Sequence, residues 1–96
     1  MKVIKLLYKS KNWTQGTFAK DEAGNPCNPF SKAATCFCLL GAFNKCYKED
    51  PDYEAKLNKL YEDLKEKTGF TSVVDWNDSK KRTFKEVKAL LKELDV

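Results

Sequence analysis

The longest apolar stretch of the chain covers residues 30–47, and its hydrophobic side chains fall on nearly every side of a helical projection. A helix that is hydrophobic all round has to be surrounded by protein. The pattern therefore predicts a buried central helix over residues 31–47, with Ser31 as its N-cap residue. Gly41 lies in the middle of this helix, where it leaves a shallow strip that lets another backbone come close.

Apolar positions at helical spacing predict four more helices, at residues 2–10, 51–67, 72–77 and 84–94. Asp50 and Pro51 are typical of a helix start, and Gly69 is a natural C-terminal stop. Thr83 and Glu86 have the spacing of a capping box in front of the last helix.

Residues 17–28 contain two short arms around Gly24 and Asn25, which favour a turn, and so predict a small β-hairpin. The sequence thus predicts a mainly α (α+β) fold, a single domain over residues 1–96 around a buried central helix. The side chains expected in its core are Ile4, Leu7, Trp13, Phe18, Phe37, Cys38, Leu40, Phe43, Leu57, Leu60, Trp76, Val87, Leu90 and Leu91.

The composition is that of a soluble globular chain, with 42% hydrophobic and 33% charged residues. No stretch approaches the ~18 apolar residues that suggest a membrane span. Lysines interrupt the apolar residues of the N-terminal segment, which has no signal-peptide core. We therefore expect a cytoplasmic protein without a membrane partner.

The four cysteines do not predict a metal site, because Cys27, Cys36, Cys38 and Cys46 are separated by nine, two and eight positions. Zinc sites favour pairs at C-x₂₋₄-C or a histidine set. The chain has no histidine, which removes Cys-His and Ser-His dyads and the commonest general base. We expect no metal, no cofactor and no catalytic residues, and interpret the cysteines as small hydrophobic side chains.

Four pieces of the sequence occur in a familiar order: residues 13–21 (WTQGTFAKD) with Gly24, residues 38–42 (CLLGA), residues 76–78 (WND), and Arg82-Thr83 with Glu86-Val87. This order resembles a family of small uncharacterised proteins from bacteria and their phages, over about residues 3 to 94. Phe37 departs from it, since such sequences tend to have Trp there, and Lys80-Lys81 replaces a less basic approach to Arg82. The resemblance implies an architecture and a bacterial or phage setting, and it implies no catalytic residues.

One cluster could form a small-ligand or enzymatic site, because an aromatic ring, an amide, a carboxylate and a guanidinium together can bind a polar ligand. Its members are Trp76, Asn77, Asp78 and Arg82, with Trp13 and Cys38 as neighbours. The alternative, which the sequence favours, is that Trp76 is core, that Asn77 and Asp78 cap a turn, and that Arg82 pairs with Asp78.

The densest basic run could bind nucleic acid, and consists of Lys80, Lys81, Arg82, Lys85, Lys88 and Lys92. Its last three lysines share one helical face, although Glu86 and Glu93 dilute the positive charge. A charged helix face is more often only solvated. Small size and the lack of catalytic motifs favour a non-enzymatic interaction module, phage-encoded or phage-derived, that binds a host or viral protein. Nucleic-acid binding and a ligand site are the alternatives.

Overall fold

The computed structural model describes residues 1–96 and contains five α-helices and a two-stranded antiparallel sheet, which confirms the predicted α+β class. A single 3₁₀ turn, Ser10–Asn12, lies between the first helix and the sheet. The elements are, in chain order, α1 (Val3–Leu6), β1 (Ala19–Asp21), β2 (Ala34–Phe37), α2 (Leu39–Tyr47), α3 (Tyr53–Thr68), α4 (Val73–Asp78) and α5 (Phe84–Leu94).

The predicted central helix is only half as long as expected, because its first part is strand β2. Helix α2 begins at Leu39, and its N-cap residue is Cys38 rather than Ser31. The Cys38 Sγ accepts a hydrogen bond from the Gly41 N–H at 3.3 Å. An apolar run cannot be assigned to strand or helix by periodicity alone. Here the run forms a strand because its backbone pairs with that of β1.

The predicted hairpin over residues 17–28 has a different strand partner from the one expected. Strand β1 pairs with β2, with Ala19 opposite Phe37, and the register shifts within the pair. The second predicted arm contributes one isolated bridge, between Lys20 and Pro26. Proline has no N–H to donate to a neighbouring strand, so this arm does not continue as a strand. Strand β1 therefore has this arm on one side and β2 on the other.

The other four predicted helices are present, three of them with shifted ends. Helix α1 is a single turn, and α3 starts at Tyr53, after a turn in which the Asp50 carboxylate accepts a hydrogen bond from the Asp52 N–H at 2.8 Å. Gly69 ends α3 with a φ of +81°, in the left-handed region. Helix α5 has the predicted ends and the capping box of Thr83 with Glu86.

The core forms one cluster to which all five helices and both strands contribute. Phe18 is an error of the sequence prediction, since its side chain is 48% exposed. Its neighbour Ala19 is fully buried, and successive strand residues point to opposite faces. The fully buried leucine at the start of α2 is Leu39, whereas the predicted Leu40 is half-buried against the cluster. Buried hydrophobic residues that the sequence analysis missed are Val3, Ala19, Leu39, Ala42, Leu64, Val73 and Leu94.

Gly41 allows the close backbone approach that the sequence predicted. A Cβ atom at this position would overlap the carbonyl oxygen of Phe18. That carbonyl accepts a hydrogen bond from the Cys38 N–H at 3.1 Å. Helix α2 is therefore seated directly on the chain that leads into β1, and the backbone of Phe18 is held at the core while its ring points outward.

We expect Gly41→Ala to destabilise the protein by about 1–3 kcal/mol, because the added methyl group meets backbone rather than a flexible side chain. The measurement is the free energy of unfolding from urea titration. Asn58→Ala, on the exposed surface of α3, is the control and should change that free energy by less than about 0.5 kcal/mol. An unchanged or raised stability of Gly41→Ala would mean that α2 can move away from Phe18 without loss.

Candidate functional site

Asn77, near the end of α4, is fully buried and is the centre of a hydrogen-bond network. Its Oδ1 accepts from the Trp13 indole Nε1–H at 2.7 Å and from the Leu39 N–H at 2.9 Å. Its Nδ2 donates to the Thr14 carbonyl at 3.1 Å and to Asp78 Oδ1 at 2.8 Å. Two acceptor and two donor positions are the full capacity of an amide, so Asn77 has none left for a ligand.

The loop that follows Trp13 closes the end of α4. Gln15 Nε2 donates to the carbonyl oxygens of Asn77 at 2.8 Å and Ser79 at 3.0 Å. The Gly16 N–H donates to Asp78 Oδ1 at 3.1 Å. The two bonds from Gln15 satisfy backbone carbonyl groups that a helix C-terminus leaves without partners. Segments 13–16 and 76–78, which belong to separate pieces of the sequence pattern, are thus one structural unit.

Arg82 does not pair with Asp78 as the sequence suggested. Its Nε donates to the Trp76 carbonyl at 2.9 Å, and its Nη1 lies 3.2 Å from a Glu86 carboxylate oxygen. The guanidinium carbon is 4.1 Å from the centroid of the Trp76 ring. Only 13% of the Arg82 side chain is exposed, and the Trp76 ring is buried. Both side chains therefore serve the packing of α4 on α5.

A second feature, the Phe18 depression, lies beside Asn77 and has a volume of about 350 Å³. Asp78 keeps one oxygen, Oδ2, without a hydrogen-bond donor from the protein, since both of its bonds are to Oδ1. Of the six predicted ligand residues, Cys38 and Asp78 meet here, whereas Trp13, Trp76, Asn77 and Arg82 do not. The depression is lined by Gly16, Thr17, Phe18, Cys38, Val74 and Asp78.

The Cys38 thiol is a poor nucleophile. Burial raises its pKa above the ordinary value, and the nearby Asp78 charge adds to that, while the hydrogen bond from the Gly41 N–H acts in the opposite direction. The thiolate is the reactive form of cysteine, and it is disfavoured here at neutral pH. No group of three or more His, Cys, Asp or Glu side chains is placed to hold a metal ion.

The basic run of the sequence is split by the structure. The Arg82 side chain is largely buried, whereas Lys80 and Lys81 are exposed in the turn before α5. Along α5 the three lysines at positions 85, 88 and 92 share one face, and none of the five ion pairs in the protein involves them. The two carboxylates expected to dilute them are engaged elsewhere, Glu86 in the capping box and Glu93 with Lys67 at 3.7 Å.

The N-terminal segment lies against this positive face. Residues 1–12 contain four lysines and no Asp or Glu, and one of these lysines, Lys2, is paired with Asp95. Lys88 Nζ donates to the Tyr8 carbonyl at 3.0 Å and lies 5.0 Å from the centroid of the Tyr8 ring. Tyr8 as a whole residue is 64% exposed. We call Tyr8, Lys85, Lys88 and Lys92 the basic surface. Sequence reasoning missed Tyr8 because it lies 80 residues from Lys88.

None of the helices combines the length and the apolar character needed to cross a lipid bilayer. A family model, described as a family of unknown function (DUF6197), matches residues 2–94. The chain belongs to this family, as the sequence resemblance to an uncharacterised family suggested. The searches of curated proteins and of solved structures found no match.

We expect Asn77→Leu to lower the free energy of unfolding by at least about 2 kcal/mol, since it leaves the Trp13 indole N–H and the Leu39 N–H without partners. Chemical denaturation followed by tryptophan fluorescence measures this loss. Asp78→Asn is the control, because an amide oxygen can still accept from the Gly16 N–H, and it should cost less than about 1 kcal/mol. Equal losses in the two variants would refute the central role of Asn77.

Proposed function

We propose that this chain is a non-enzymatic nucleic-acid-binding protein whose basic surface holds the phosphate backbone. The supporting observation is the hydrogen bond between Lys88 and the Tyr8 carbonyl, because it joins the lysine face of α5 to an N-terminal segment without acidic residues. Two lysine-containing parts of the chain that are distant in sequence thus lie next to each other.

Two charges of this area are available to a ligand. Lys85 and Lys92 are exposed, and neither has a carboxylate partner. Lysine contacts with phosphates release condensed counterions, which supplies most of the free energy of sequence-independent binding. The formal net charge of +4 is modest, so we expect weak binding at physiological salt. The site of action that we propose is the cytoplasm of a bacterium or of a phage-infected host, in line with the setting that the sequence resemblance implies.

The test is binding of a labelled oligonucleotide, measured by fluorescence anisotropy over a salt series. Affinity should fall by about tenfold or more between about 50 and 200 mM salt. The variant Lys85→Gln/Lys92→Gln should weaken binding by about tenfold at low salt. It should flatten the slope of log K against log salt by about 1.4 for a single-stranded oligonucleotide, or by about 1.8 for a duplex.

Lys32→Gln/Lys45→Gln is the matched control, since it also removes two exposed lysines without ion pairs and also lowers the formal net charge from +4 to +2. Its affinity should stay within about twofold of the original protein, because loss of net charge alone has a small effect compared with loss of direct phosphate contacts. Equal losses in both double variants, or binding that is independent of salt, would contradict the proposal.

A protein partner is the second candidate, and the sequence alone favours it over nucleic acid. The Phe18 depression supports it: a half-exposed aromatic ring stands on a rigid backbone beside an Asp78 oxygen that has no donor. Aromatic rings with few polar groups around them are common at the centres of protein interfaces. A partner segment with an apolar side chain next to a lysine or arginine would complement this depression.

For this candidate we expect Phe18→Ser and Asp78→Asn to lose the same bound protein from a bacterial lysate, because each removes one half of the complementary surface. Affinity capture with mass spectrometry is the measurement. Phe30→Ser is the control, since Phe30 is equally exposed and lies outside the depression. Identical sets of captured proteins for the original chain and Phe18→Ser would exclude the depression as the binding site.

A further inference from the structure

We infer that the basic surface binds single strands, with the exposed Tyr8 ring as a stacking platform for a base. This inference rests on the proposed nucleic-acid binding and names the form of the ligand. Tyr8 is the most exposed aromatic residue in the protein, at 64%, and the Lys88 ammonium lies over its ring, 5.0 Å from the centroid. Proteins that bind single strands combine a positive track for phosphates with aromatic rings for bases.

The backbone around Tyr8 is fixed even though its ring is exposed. On one side, Leu7 is fully buried and its N–H donates to the Val3 carbonyl at 2.8 Å. On the other side, the Lys9 N–H donates to Asn12 Oδ1 at 3.1 Å. Lys88 holds the Tyr8 carbonyl itself. A ring carried by such a backbone loses little conformational freedom when a base stacks on it, which favours binding.

The lysines fit the same ligand. Side chains three and four positions apart on a helix are neighbours, with Cβ atoms roughly 5–6 Å apart, so the three lysines form one short row whose middle member, Lys88, contacts Tyr8. A row of this kind can follow one phosphate backbone. It does not span the two backbones of a duplex groove, which needs contacts on both sides of an inserted element.

The side chains that read base edges in a duplex are missing from the basic surface. Arginine, asparagine and glutamine make the commonest specific contacts in the major groove. Arg82 is the single arginine of the chain, and its guanidinium is engaged by the Trp76 carbonyl and Glu86. With a ring and lysines alone, the surface can contact the face of a base and its phosphates, which gives binding with little sequence preference.

The experiment compares Tyr8→Leu with Tyr8→Phe, using labelled oligothymidine and a duplex of the same length in fluorescence anisotropy. We expect oligothymidine to bind more tightly than the duplex at equal salt. Tyr8→Leu should weaken oligothymidine binding by about fivefold or more, whereas Tyr8→Phe keeps the affinity within about twofold, because the phenyl ring still stacks. The salt slope should be the same in all three proteins, since no lysine is changed.

Phe30→Leu is the control for loss of an exposed ring elsewhere and should bind like the original protein. The single-strand inference is wrong if the duplex binds as tightly as oligothymidine, or if Tyr8→Leu matches Tyr8→Phe, and the proposed function then stands as long as binding remains salt-dependent. If the unmodified protein binds neither oligonucleotide but binds vesicles of phosphatidylserine, both the inference and the proposed function are wrong.

Discussion

The buried amide of Asn77 is the interaction on which the rest of this small structure depends. It bonds at once to the loop that carries Trp13 and Thr14, to the start of α2 at Leu39, and to Asp78 beside it. A buried polar group is costly unless all of its partners are present. Other arrangements of the loop, α2 and α4 could make similar hydrophobic contacts, but they would leave Asn77 without hydrogen-bond partners. The network therefore favours a single arrangement.

Most of the surface chemistry follows from this arrangement. The loop that is hydrogen-bonded to Asn77 continues into Phe18. The Phe18 carbonyl contacts the start of α2, so that the ring of Phe18 points outward. On another part of the molecule, the capping box and the Glu93–Lys67 pair occupy the carboxylates of α5, so that its lysines stay without partners. The Phe18 ring and the α5 lysines are thus exposed because neighbouring groups are held by hydrogen bonds or ion pairs within the protein.

The last three helices were predictable because the signals for them and for their ends are largely local. Thr83 with Glu86, Gly69 and the apolar spacing of α5 each act within a few residues, and the structure contains them as expected. The strand β2 was not predictable, since its partner β1 is separated by a loop and an apolar run fits either state. Phe18 was assigned to the core for its apolar character, whereas its orientation depends on the buried Ala19 next to it.

The distances in sequence that Asn77 bridges also affect how the chain can fold as it is synthesised. Its partners at Trp13 and Thr14 precede it by 64 and 63 positions, and Leu39 precedes it by 38. Until α4 has left the ribosome, the indole N–H of Trp13 and the N–H of Leu39 lack the acceptor that they share in the folded protein. The N-terminal half can thus become compact early, but its native arrangement forms only when the Asn77 amide of the C-terminal half is present. The final folding step therefore involves both halves of the chain together.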